Sequence, residues 1–86
     1  MSRSVFTDRY NRLCELLVEA RRSRRLTQAE VARRLGRPQS FVSKFEMGER
    51  RLDVVEFLDV ARAIGVCGID LIRRLEPEKH HSRRAK

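Results

Sequence analysis

Tryptophan is absent from the 86 residues, tyrosine occurs once and phenylalanine four times, so aliphatic side chains must fill most of the core. Cysteine is almost missing too. Cys14 and Cys67 lie far apart with no Cys-x-x-Cys, and His80-His81 stands alone in a polar tail. That argues against a disulfide framework or a metal centre and leaves reduced thiols. No apolar run approaches the roughly 20 residues of a membrane span, and the opening MSRSVFTDRYNR has no apolar signal region. A reducing, cytoplasmic compartment is the expectation, with no membrane partner. Alternating apolar and polar runs are lacking, as are hairpin dipeptides, so no strand is expected. There is no plausible nucleophile–base pair, no carboxylate pair and no glycine-rich phosphate loop, so an enzyme and a cofactor are both unexpected. One domain and one modest core fit this length, and no small-molecule ligand is expected.

What the chain does have is positive charge. Lys and Arg number 20 against 12 Asp and Glu, for a formal net charge of +8. Residues 1–20 carry 0, residues 21–51 carry +7, residues 52–72 carry −3 and residues 73–86 carry +4. An excess that repels itself in a compact chain reports a polyanionic partner or a need for solubility. Its confinement to particular segments favours the partner.

The apolar pattern predicts helices throughout. Phe6, Tyr10, Leu13, Leu17 and Ala20 recur at steps of four and three, one face of a first helix with Leu16 beside it and Ser4 or Thr7 as its cap. The run Arg21-Arg22-Ser23-Arg24-Arg25 reads as its solvated end. Thr27-Gln28-Ala29-Glu30 is a capping box opening a second helix, with Leu26 and Val31 placed as a hydrophobic staple. Val31, Ala32 and Leu35 face inward there, and Gly36 supplies the left-handed residue that ends it. Pro38 presets the backbone for a third helix from about Gln39 to Glu46. Its inner side is Val42 and Phe45 with Phe41 partly covered. Its open side is Gln39, Ser40, Ser43 and Lys44. Asp53 and Glu56 mark the next start, and Val54, Phe57, Val60, Ala61 and Ile64 are the expected buried stripe of a fourth helix that Gly65 ends. A fifth, from about Ile69 to Leu75, stops at Pro77. Residues 1–5 are expected to fray, 6–76 to form the domain and 77–86 to be a disordered basic tail.

Two helices that cross steeply need a small residue at the crossing, a turn residue tolerant of positive φ, and aliphatics that lock the second onto the first. Ala32, Gly36, and Val42 with Phe45 stand at those places. In LTQAEVARRLG, SFVSKFEMGER and FLDVARAIGV, over about Arg12 to Leu75, the chain resembles the phage-repressor and Cro-like (xenobiotic-response-element type) helix-turn-helix proteins. The resemblance implies an all-α, five-helix lambda-repressor-like domain that binds double-stranded DNA with its third helix in the major groove. It implies base contacts from Gln39, Ser40, Ser43 and Lys44, whose chemistry suits adenine and guanine edges. It also implies that Gln28 binds a phosphate and steadies Gln39, and that Glu46 ties the third helix to neighbouring backbone. Arg37, Arg50 and Arg51 flank that helix and are the further phosphate candidates. Arg21, Arg22, Arg24 and Arg25 are secondary ones.

The chain departs from the family at Pro38, where a Ser or Thr cap is usual, and at Met47, where a polar residue is common. Val55, Leu58, Ile69, Ile72 and Leu75 are more apolar surface than a small core requires, and are the candidate interface of a homodimer on a palindromic site. The expected function is a transcriptional regulator, most often a repressor. The alternative is an antitoxin-like interaction module that binds a protein partner through its last two helices.

Overall fold

The computed structural model describes residues 8–76. They form α1 (Asp8–Ser23), α2 (Gln28–Leu35), α3 (Gln39–Glu46), α4 (Val54–Ile64) and α5 (Gly68–Leu75), and there is no strand among the described residues. The expected all-α, five-helix architecture is the observed one. The expected frayed start and basic tail, with Ser4, Phe6, Thr7 and Pro77, lie outside the described residues.

Local signals place the helix ends. The Thr27 hydroxyl accepts from the Glu30 N–H at 3.0 Å and the Thr27 N–H donates to Glu30 Oε1 at 2.8 Å, closing the capping box of α2. Asp53 and Glu56 build the same box on α4, at 2.7 and 3.0 Å. At the other end of α2, Gly36 has φ +72°. Its N–H reaches Arg33 O at 3.1 Å and the Arg37 N–H reaches Ala32 O at 3.0 Å, so two carbonyls that α2 would leave open are satisfied.

The core joins Leu16 and Leu17 of α1, Val31 and Ala32 of α2, Phe41, Val42 and Phe45 of α3, Phe57, Val60 and Ile64 of α4, and Leu71 of α5. Through it α2 packs on α3 and α4, while α1 packs on α3, α4 and α5. Four expectations change. Leu16 is fully buried rather than beside the stripe, since α1 has neighbours on two sides. Phe41 is buried too, because two arginines lie on its ring. Val54, expected inside, is 70% exposed at the first position of α4, where the helix has not yet turned its stripe onto the core.

The fourth concerns Arg21, which is buried at 9% exposure and not part of a solvated end. Its Nε and Nη2 donate to the two Glu46 carboxylate oxygens at 2.7 and 2.9 Å, and its Nη1 donates to Leu26 O at 2.9 Å. Gln28 Nε2 donates to the same carboxylate at 2.8 Å. Glu46 therefore ties α3 to side chains of α1 and α2, and it is Arg21 that reaches neighbouring backbone. Tyr10 adds a second long-range tie. Its hydroxyl accepts the Leu52 N–H at 2.8 Å, and burial, seconded by the Cys14 contact, pushes its pKa to about 12.

Two desolvated charges hold together only while both are present. Arg21→Ala and Glu46→Ala are each expected to destabilise the fold by about 3–5 kcal/mol. The pair Arg21→Met with Glu46→Leu should lose much less than the sum of its single changes. A urea double-mutant cycle with a coupling of only about 0.5 kcal/mol or less would show that the pair does not act as a unit.

Candidate nucleic-acid interface

Val42 and Phe45 are buried at 0% and 1% exposure and anchor α3 by one side. Phe41 meets Phe45 edge to face, with ring centroids 5.7 Å apart. The opposite side is open. Gln39, Ser40 and Lys44 are exposed and Ser43 is half-buried, with the Ser43 hydroxyl donating to Ser40 O at 3.3 Å. Pro38 precedes the helix at φ −66° and ψ 153° and makes no side-chain cap bond. The Phe41 N–H closes the first turn on Pro38 O at 3.0 Å.

Gln39 is positioned by its neighbour instead. Its Nε2 donates to Gln28 Oε1 at 3.4 Å. Because the Gln28 amide nitrogen is taken by Glu46, its carbonyl must face Gln39. A chain of contacts thus runs from buried Arg21 through Glu46 and Gln28 to the first residue of α3.

The flanking arginines are also held. Arg37, in the α2–α3 turn, and Arg50, after α3, place their guanidinium carbons 4.2 and 4.8 Å from the centre of the Phe41 ring. Arg50 makes a bidentate pair with Glu56, both bonds 3.0 Å, and Arg37 reaches the same carboxylate at 3.4 Å. A further Arg50 Nη1 bond goes to Arg51 O at 2.7 Å. Arg51 lies over Tyr10, 4.3 Å from its centroid. Three cations that flank α3 in the chain thereby have their guanidinium groups seated on aromatic faces. Glu56 was legible only as the acid of a capping box. Its second duty, across six residues to Arg50 and nineteen to Arg37, needs the fold.

Val55, Leu58, Ile69 and Ile72 are exposed on α4 and α5, and Leu75 is half-buried. Val54 and Met47 are exposed as well. A small recess of about 150 Å³ beside Ile72 is walled by Tyr10, Leu13, Leu52 and Phe57. Among the described residues no cluster of His, Cys, Asp or Glu is arranged to hold a metal ion, and no helix is long and apolar enough to cross a membrane.

A family model described as "Helix-turn-helix domain" matches residues 8–75. The chain belongs to the helix-turn-helix domain family. A curated relative from Sinorhizobium fredii, named an uncharacterized HTH-type transcriptional regulator, is 38% identical over 52 residues, which is 60% of this chain and 68% of that protein. A solved structure described as an XRE-family like protein, from Pseudomonas syringae pv. tomato, superposes with a TM-score of 0.80 at 51% identity, covering 86% of this chain and 90% of that one. These place the chain among XRE-type helix-turn-helix transcription regulators, a family of DNA-binding proteins. Within that family α2 and α3 are the helix-turn-helix.

Glu56 gives this surface a pH dependence. The Arg50 pair first, then the Asp53 N–H, holds its carboxyl at about 2, below the ordinary 4.5. A lowered folded-state pKa contributes stability in full above the unfolded value and loses it as pH falls through the folded one. Glu56→Gln keeps the cap geometry but not the charge. The stability gap between wild type and Glu56→Gln is expected to be constant at neutral pH and to close from about 4.5 down to about 2. Urea midpoints measured across that range check it, and a gap independent of pH would remove the ion pairs as its source.

Proposed function

We propose that the protein is a sequence-specific double-stranded DNA-binding repressor that acts in the cytoplasm as a homodimer on a palindromic operator. α3 enters the major groove. Gln39, Ser40, Ser43 and Lys44 meet base edges, while Gln28, Arg37, Arg50 and Arg51 meet phosphates on either side. The observation that carries this reading is the single polar, uncovered face of α3, steadied at Gln39 by Gln28 and bordered by arginines seated on Phe41 and Tyr10. Val55, Leu58, Ile69, Ile72 and Leu75 form the dimer contact, because one short helix reads too few base pairs to be specific and two-fold pairing doubles them. The same apolar surface supports a second reading, in which α4 and α5 bind a different protein in the manner of an antitoxin.

Selection of bound duplexes from a random pool at physiological salt is expected to return a palindrome with half-sites about one helical turn apart. Sedimentation at tens of micromolar should show the dimer. A monomer with a non-palindromic motif would favour the second reading. Lys44→Ala and Gln39→Ala should each cost about 1–3 kcal/mol on the selected site and relax preference at one position. Arg50→Ala should weaken all duplexes alike and shallow the salt dependence by about one phosphate. If both groove variants select the wild-type motif, their assignment to base edges is wrong.

A further inference from the structure

Four helices of this chain end by one hydrogen-bond pattern, in which a residue in the left-handed region and the residue after it bond back to the last turn. At α2, α3 and α4 that residue is Gly36, Gly48 or Gly65, with φ of +72°, +81° and +97°. At α1 it is Arg25, with φ +57°. The Arg25 N–H donates to Arg22 O at 2.9 Å and the Leu26 N–H to Arg21 O at 3.1 Å. An L side chain is disfavoured in this region because Cβ crowds the carbonyl, and arginine lacks the short polar group that lets Asn or Asp sit there. Glycine would close α1 with less strain, as it does at the other three ends.

What the arginine does in return is not found among the described residues. Arg25 is exposed, and among the described residues its side chain has no hydrogen bond, ion pair or ring contact. Arg21, Arg34, Arg37, Arg50 and Arg51 all have one. Its backbone is not loose, since buried Arg21 grips the next residue through Leu26 O at 2.9 Å. Gln28 follows three residues later, so the two Cα atoms lie within about 10 Å of each other. Along one DNA strand a phosphate recurs about every 3.4 Å of helix axis. A strand that runs past Gln28 toward the α1–α2 turn therefore brings a phosphate within reach of Arg25.

We infer that Arg25 is a DNA-phosphate contact of the α1–α2 turn, retained in a left-handed backbone position because its charge seats the duplex beside Gln28. The inference rests on the DNA-binding reading above. It adds a cation before the start of α2, where Arg37 follows its end and Arg50 follows α3.

Arg25→Gly and Arg25→Lys separate the two properties. Unfolding in urea reads the strain, and salt titrations on a short mixed-sequence duplex and on the selected operator read the contact. Arg25→Gly is expected to be more stable than wild type, yet to bind both duplexes more weakly by the same factor, with a log–log salt slope shallower by about one. Arg25→Lys should keep the wild-type slope without the gain in stability. A wild-type slope in Arg25→Gly overturns the proposal, as does an Arg25→Gly protein no more stable than its parent. A wild-type protein that binds neither duplex overturns the DNA-binding reading and this inference with it. Wild-type binding that Arg25→Gly leaves unchanged removes Arg25 alone.

Discussion

The buried pair of Arg21 and Glu46 is the constraint on which the open face of α3 depends. Removing two charges from water is unfavourable by several kcal/mol per ion, and their attraction offsets that only when the remaining hydrogen-bonding groups are also satisfied. Here they are. The guanidinium gives two bonds to the carboxylate and one to Leu26 O, and the carboxylate takes a further bond from Gln28. Isosteric apolar residues would hold three helices together as well. They would not orient the Gln28 amide, and so would not present its carbonyl to Gln39. The pair is better understood as setting geometry than as adding stability.

A second acid repeats this logic nearer the surface. Glu56 starts α4 and also gathers Arg37 and Arg50 over Phe41. The two arginines come from opposite ends of α3, so one carboxylate fixes the spacing of the charges that border it. In contrast Arg22, Arg25, Arg33 and Lys44 have no ion pair among the described residues. Among the described residues the cations therefore divide into those held in place by acids, carbonyls or aromatic rings and those with no ion pair.

The helix-turn-helix itself was readable because its signals are local. A capping box spans four residues, and a glycine after the last apolar position predicts a left-handed end. Thr27, Glu30, Gly36, Asp53, Glu56 and Gly65 all stand at the helix ends they predict. Arg21 escaped that reading. In a run of four arginines nothing local distinguishes the one whose partner is 25 residues away. Arg25 escaped it because a non-glycine residue in the left-handed region leaves no mark in composition or periodicity. Val54 was placed inside by a stripe that is correct for the middle of α4 and not for its first position.

The amino-acid sequence by itself determined the five helices, the caps of α2 and α4, the turn at Gly36, and which side of α3 is polar, since each follows from contacts within a few residues. Tertiary structure decided which charges are buried, which arginines share an acid, and that Gln28 is aimed at Gln39. Those depend on long-range desolvation and on side chains meeting across helices, and neither leaves a pattern along the chain.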